Sequence, residues 1–79
     1  MTRDPPTEVA PESVPLLLNA AEAAQLLGIG RSTFLRYDLT GIVPRGAKLG
    51  RVRRWPREEL VAWTRAGCPP RVRWEEIRR

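Results

Sequence analysis

The sequence contains no histidine and only one cysteine, Cys68. A single chain therefore has neither a second thiol for a disulfide nor the mixed ligands of a structural zinc site. Histidine is also the commonest general base, and no other pair of residues suggests a nucleophile beside its base. We therefore expect no enzymatic activity, no metal and no other cofactor, and a reducing cytoplasmic environment.

Long apolar runs are missing as well. No stretch approaches the roughly 20 apolar residues of a membrane-spanning helix, and no basic region followed by an apolar run marks a secretory signal. Membrane-surface binding would call for a long amphipathic helix, which the pattern does not offer. The 79 residues are enough for one small domain, without room for a cleft between two lobes.

Acidic residues are scarce in the middle of the chain. Between Arg31 and Arg57 there are eight basic residues and one acidic residue, Asp38, so this stretch carries a net charge of +7, whereas the whole chain carries +5. Charge concentrated in this way repels itself in the folded state unless a polyanion neutralises it. The distribution indicates a nucleic-acid partner.

Residues 1–15 differ from the rest in composition. They contain four prolines and three acidic residues against one arginine, Arg3. Few of these side chains can fill a core, so we predict a disordered or extended arm. Its net charge of −2 favours a plain leader over a DNA-binding arm.

A first helix is expected after this arm. Asn19 followed by Glu22 is the pattern of a capping box, and Gly28 is suited to end the helix in the left-handed conformation. The residues at helical spacing on its apolar face are Ala20, Ala23, Ala24 and Leu27.

A second helix is predicted from Arg31 to about Thr40, with Gly30 at its N-cap and Phe34 and Tyr37 as its buried stripe. The link between the two helices is only about three residues long. Such a link makes the helices cross steeply, which is the geometry of a helix-turn-helix unit whose second helix enters the major groove.

A hairpin and a third helix are expected next. The strands are predicted over 47–49 and 52–55, and Gly50 can supply the positive φ of the tight turn between them. Pro56 suits the first position of the third helix, which Gly67 ends. Its expected packing residues are Leu60, Val61 and Trp63. Residues 68–79 form a C-terminal tail in which residues 71–79 can make a short helix with Trp74 and Ile77 on one side.

These segments resemble, in order, the excisionase/AlpA-type helix-turn-helix domains, which are related to the DNA-binding end of MerR regulators. The matching segments are Leu18-Asn19-Ala20-Ala21-Glu22-Ala23-Ala24, Leu27-Gly28-Ile29-Gly30-Arg31-Ser32-Thr33, Gly41-Ile42-Val43-Pro44, Leu49-Gly50-Arg51 and Trp55-Pro56-Arg57-Glu58-Glu59-Leu60-Val61-Ala62-Trp63. The resemblance covers residues 16–67. It implies a mainly α-helical winged helix-turn-helix with a small β-hairpin, whose recognition helix reads the major groove and whose wing contacts phosphate or the minor groove.

Two positions depart from the family pattern. Gly30 stands where a serine or threonine cap is usual, which weakens the side-chain anchor of the recognition helix. Arg53 stands where an apolar strand residue is common. Strict alternation would point Arg53 toward the core beside Trp55, so we expect either that its side chain reaches out to solvent or that the strand is irregular.

The recognition helix supplies the first group of expected contacts, Arg31, Ser32, Thr33 and Arg36. Its start combines an arginine, two hydroxyls and unsatisfied backbone N–H groups, which suit phosphate and also reach base edges. Arg36 lies one turn after Ser32 and can make a bidentate contact with guanine. The alternative is that Ser32 and Thr33 only favour the helix start, and that Arg36 pairs with Asp38 or is solvated.

The wing supplies the second group, near one tight turn. Its members are Lys48, Arg51, Arg53 and Arg54. The alternative is a solvated basic hairpin that aids solubility, although a surface of mixed sign would do so without repulsion. We therefore favour phosphate or minor-groove contact. Arg45 and Arg57 are expected to be peripheral phosphate contacts or simply exposed.

The three tryptophans can also be interpreted as stacking platforms for single-stranded bases. The positions of Trp55 and Trp63 favour the core instead, whereas Trp74 is expected either to dock on the domain or to contribute to self-association. Cys68 has no partner residue for a site.

The predicted function is sequence-specific binding of double-stranded DNA by copies at adjacent half-sites, in the cytoplasm and on a bacterial or phage-type nucleoid. The resemblance implies either recombination directionality, with an integrase as partner, or transcriptional regulation, with RNA polymerase as partner. The alternative is a protein-interaction adaptor with only non-specific DNA affinity. RNA binding remains open on charge alone, but the exposed aromatics of single-strand RNA readers are not expected.

Overall fold

The computed structural model describes residues 15–78, so the predicted arm lies outside the described residues except for Pro15. The elements in chain order are β1 (Leu17–Leu18), α1 (Ala20–Leu27), α2 (Arg31–Leu39), β2 (Ala47–Leu49), β3 (Val52–Pro56), α3 (Arg57–Arg65) and α4 (Arg71–Ile77). The mainly α-helical fold with a hairpin is confirmed. No helix within residues 15–78 is long and apolar enough to cross a membrane.

The capping box of α1 is present as predicted. The backbone N–H of Glu22 donates to Asn19 Oδ1 at 2.8 Å, and the backbone N–H of Asn19 donates to Glu22 Oε1 at 2.9 Å. Gly28 ends the helix with a φ of 76°, which glycine adopts without the steric cost that other residues meet. Local sequence signals therefore fix both ends of α1.

The second helix begins directly after Gly30, whose backbone is extended and which offers no side-chain cap. Phe34 is fully buried, and Tyr37 packs against the core from a half-buried position. The Thr40 hydroxyl donates to the carbonyl of Arg36 at 3.0 Å. The helix thus ends at Leu39, one residue before its predicted end, and Thr40 is its C-cap.

A three-stranded antiparallel sheet places β3 between β1 and β2. The predicted hairpin of β2 and β3, which we call the wing, is confirmed. The strand β1 was not predicted, and it pairs Leu17 with Pro56 and Leu18 with Trp55. This pairing extends β3 by one residue, so Pro56 ends the strand and caps α3 instead of starting the helix.

The wing has a regular register, in which Lys48 is opposite Arg53 and Ala47 is opposite Arg54. Arg53 therefore lies on the same face as Trp55, and its side chain runs out along the sheet to donate from Nη1 to the carbonyl of Gly46 at 3.0 Å. A Cβ on Gly46 would lie 2.7 Å from Arg53 Cγ and 2.9 Å from Trp55 Cε2. Because Gly46 has no side chain, the Arg53 side chain can pass over its backbone.

The core joins all the helices to the sheet. Its buried members are Leu18, Ala23, Ala24, Phe34, Val43, Trp55, Leu60, Trp63 and Trp74. The rings of Phe34 and Trp55 meet edge to face, with centroids 4.9 Å apart. Of the predicted packing residues of α3, Leu60 and Trp63 are buried, whereas Val61 is only half-buried.

The C-terminal helix α4 packs on the other helices. Trp74 is buried, and its indole N–H donates to Glu59 Oε2 at 2.9 Å. The same carboxylate oxygen forms a salt bridge with Arg78 Nη1 at 3.0 Å. Of the two tail residues predicted on one side, Trp74 is in the core, while Ile77 remains half exposed. Trp74 therefore docks on the domain.

Candidate nucleic-acid interface

The start of α2 presents an exposed polar surface. Arg31 and Ser32 are exposed and Thr33 is half-buried. Gly30 provides no side-chain acceptor for the first backbone N–H groups of the helix, which are left unpaired within a helix and attract anions. The structure therefore combines an arginine, two hydroxyls and open backbone donors at one helix end.

Arg36 lies on the exposed side of α2, one turn beyond Ser32. Its guanidinium carbon is 5.8 Å from the centroid of the Tyr37 ring. Asp38, the alternative partner of Arg36, instead forms a salt bridge with Arg71 at 2.8 Å. Among residues 15–78, Arg36 has no salt bridge, so its guanidinium is available to a ligand.

Two cations of the wing are hydrogen-bonded to backbone carbonyls, and the other two are exposed. Arg53 Nη1 donates to the carbonyl of Gly46, and Arg54 Nη1 donates to the carbonyl of Arg53, both at 3.0 Å. These bonds direct two guanidinium groups along the hairpin. Lys48 and Arg51 are exposed, and Arg51 forms the turn with Gly50, whose φ is 61°. A positive φ at the first turn position, with glycine there, matches the type II′ hairpin.

The two peripheral arginines have carboxylate neighbours. Arg45 Nε lies 3.4 Å from Glu75 Oε2, and Arg57 Nη1 lies 3.4 Å from Glu58 Oε2. Arg57 also donates from Nε to the carbonyl of Pro15 at 3.3 Å. The exposed Arg45–Glu75 pair is weak and exchanges readily, so Glu75 opposes phosphate binding at Arg45 only slightly. The Arg57 side chain is only 26% exposed, so Arg57 is not simply exposed.

Most carboxylates in the described part of the chain are engaged by other groups of the protein. The contacts are Glu22 with the Asn19 N–H, Asp38 with Arg71, Glu58 with Arg57, Glu59 with Trp74 and Arg78, and Glu75 with Arg45. None of these carboxylates pairs with the predicted contacts of α2 or of the wing. The positive charge of both elements is therefore left unneutralised by residues 15–78.

Arg71 is a structural residue that the sequence pattern did not single out. Its Nε donates to the carbonyl of Val43 at 2.9 Å, and its Nη2 donates to the carbonyl and to Oδ1 of Asp38 at 3.0 and 2.8 Å. Its backbone N–H donates to the carbonyl of Gly41 at 3.0 Å. Only a weak signal was present in the sequence, which is that a basic residue in the first turn of a helix is slightly unfavourable beside the positive end of the helix dipole.

No cluster of three or more possible metal ligands occurs among residues 15–78. The helices α1 and α2 are joined by a three-residue turn and followed by a basic hairpin. This is the arrangement of a winged helix-turn-helix. The family model of the helix-turn-helix domain matches residues 17–68.

The chain belongs to this helix-turn-helix family. The resemblance to excisionase/AlpA-type domains is thereby confirmed, and so is the winged helix-turn-helix fold. The protein is a helix-turn-helix DNA-binding protein in which α2 is the second helix of the motif. Neither the curated proteins nor the solved structures gave a significant match to the chain. The matched residues end before α4, so the helix-turn-helix family pattern does not account for Arg71 or Trp74.

Proposed function

We propose that this helix-turn-helix protein recognises a specific sequence in double-stranded DNA, with α2 in the major groove and the wing on phosphate or in the minor groove. The observation that carries the proposal is the state of Arg36. It is exposed on the second helix of the motif, and the acidic residue nearest to it in sequence, Asp38, is occupied by Arg71.

Each group of residues has a separate role in this proposal. Arg36 reads a base edge, and a bidentate contact with guanine discriminates by about 1–3 kcal/mol. Arg31, Ser32 and Thr33 bind phosphate or base edges at the helix start. The cations of the wing, Lys48, Arg51, Arg53 and Arg54, neutralise phosphates along the groove. Arg45 and Arg57 add peripheral phosphate contacts after releasing their surface carboxylates.

In the cell, we propose that copies of the protein bind adjacent half-sites in cytoplasmic, nucleoid DNA and shape the duplex, without enzymatic activity of their own. One domain covers only a short site, so adjacent binding supplies the missing specificity. Two jobs fit this act: recombination directionality together with an integrase, and transcriptional regulation at a promoter used by RNA polymerase.

The experiment that tests the proposal is selection from a random double-stranded DNA library at physiological salt. We expect an enriched motif, present in two or more copies with fixed spacing. The matched control is the Arg36→Ala protein, which should enrich a less defined motif. If the unaltered protein enriches no motif and its binding disappears with salt, the proposal fails in favour of an adaptor with non-specific DNA affinity.

A further inference from the structure

The tip of the wing carries two exposed apolar side chains in the most basic part of the molecule. Leu49 and Val52 flank the Gly50–Arg51 turn and are directly opposite each other in the hairpin register. Their relative exposures are 51% and 43%. Leu49 therefore ends β2 and Val52 begins β3, directly beside the turn.

This apolar pair does not belong to the hydrophobic core. Side chains alternate between the two faces of a strand, so Val52 lies on the face opposite to Arg53 and Trp55. Leu49, as its cross-strand partner, shares that outer face. Two exposed apolar residues beside an edge strand favour unwanted association. Threonine would support the strands equally well, so hairpin stability alone does not account for their apolar character.

Among the cations around the pair, Arg53 extends away from the tip. The guanidinium of Arg53 bonds to the carbonyl of Gly46, which precedes β2, and that of Arg54 bonds to the backbone of Arg53. The turn itself contributes only Gly50 and Arg51. A partner that meets the tip therefore encounters apolar surface and Arg51 first, and meets the other cations along the sides of the hairpin.

We propose that the Leu49–Val52 pair enters the minor groove of DNA and makes apolar contact there with deoxyribose and base edges. The inference rests on the proposed function and names the residues that act at the groove. Charge complementarity supports this occupant, because no acidic residue occurs between Asp38 and Glu58 and phosphates line both sides of the groove. Leucine is among the side chains that minor-groove proteins insert between base steps, which unstacks the step and bends the duplex.

The dimensions allow the tip of the wing to enter only a widened minor groove. The minor groove of B-DNA is about 6 Å wide, and the two strands of a hairpin are about 4.8 Å apart. A two-residue turn is the narrowest end that a hairpin can have. The groove must widen for side chains to enter, and widening accompanies the bending that inserted apolar groups cause.

The test is a double variant, Leu49→Thr with Val52→Thr, which keeps strand-forming residues and removes apolar surface. We expect its affinity for a single selected half-site to fall by about tenfold or more, because the variant loses apolar surface that the groove would otherwise bury. The slope of log K against log[salt] should stay unchanged, because no phosphate contact is lost. The DNA bend, measured by energy transfer between end-labelled dyes, should decrease.

The control is Val72→Thr with Ile77→Ser, which removes exposed apolar surface from α4, where the two side chains are 75% and 50% exposed. It should leave affinity, slope and bend unchanged. Thermal unfolding of both variants shows whether either has lost its fold. A third variant, Leu49→Phe, places a larger apolar side chain at the tip and should keep or increase the DNA bend.

Three results would overturn the inference. If the threonine double variant binds and bends a single half-site as the unaltered protein does, the apolar pair is not at the groove. If affinity falls only on DNA with two adjacent half-sites, the pair contacts a neighbouring copy instead. An unaltered protein that binds no DNA would overturn the proposed function, and this inference would fail with it.

Discussion

Arg71 joins α4 to the last turn of α2 through a salt bridge with Asp38. The Arg71 Nη2 lies 2.8 Å from Asp38 Oδ1 and 3.0 Å from the Asp38 carbonyl, and both side chains are mostly buried, at 14% and 23% exposed. The same guanidinium also holds the carbonyl of Val43. A residue beyond the family match thus fixes the end of the helix that is proposed to read DNA.

Replacing Arg71 by alanine should destabilise the protein by about 2–4 kcal/mol. The substitution leaves a half-buried carboxylate and two carbonyls without their donor, and breaking a buried pair on one side costs about 3–5 kcal/mol before any allowance for the remaining exposure of Asp38. The measurement is urea unfolding. Arg73→Ala, an exposed change on the same helix, is the control and should alter stability by less than about 0.5 kcal/mol. Equal stabilities for the two variants would contradict the structural role of Arg71.

Replacing Gly46 by alanine should destabilise the wing by about 1–3 kcal/mol, because the added methyl overlaps the Arg53 stem and the Trp55 ring. Gly30→Ala is the control, since nothing lies within 4 Å of its added Cβ and its φ is −75°. The control should cost less than about 1 kcal/mol. Thermal unfolding followed by tryptophan fluorescence would report both. A harmless Gly46→Ala change would mean that Arg53 does not occupy the space above Gly46.

Replacing Arg36 by alanine should relax base preference at one position of the selected motif, at a discrimination of about 1–3 kcal/mol. Affinities for the motif and for each single-base variant of it are the measurement. Arg65→Ala, an exposed change at the end of α3, is the control and should leave the preference intact. An unchanged base preference in the Arg36→Ala protein would remove the recognition-helix assignment.

Replacing Arg51 and Arg54 together by alanine should weaken binding to all DNA sequences by a similar factor. If about five phosphates are neutralised, the slope of log K against log[salt] is about −4 to −5, and losing two contacts should bring it to about −3. Titrations at several salt concentrations measure this slope. An unchanged slope would mean that neither arginine contacts phosphate. The Arg36→Ala protein is the comparison, since its base preference should change more than that of the double variant.

Local signals in the sequence were enough to predict the helical pair and the hairpin. The capping pair Asn19 and Glu22, the left-handed Gly28 and the turn glycine Gly50 each act within a few residues, so the pattern alone specifies them. The same holds for the chemical types at the candidate site, whose basic character follows directly from the sequence.

Contacts between distant parts of the chain were not predictable in this way. Leu17 and Leu18 are too few to show strand alternation, and they become β1 only because β3, almost forty residues later, offers a free edge. The bond from Arg71 to Asp38 spans 33 residues. Gly46 has no unusual φ that a turn pattern would reveal, and its role appears only once Arg53 and Trp55 are packed above it.

The helix α2, which we propose reads DNA, is held unequally at its two ends. Arg71 and the Thr40 hydroxyl bind its C-terminal turn, whereas Gly30 leaves its first turn without a side-chain cap. A helix of this kind opens from its weaker end, so among its hydrogen-bonded amides exchange should be fastest at Phe34, which donates to the Gly30 carbonyl, and slower toward Asp38. A DNA phosphate at the helix start would supply the missing cap. Ligand binding would then complete the folding of the very turn that makes the contact.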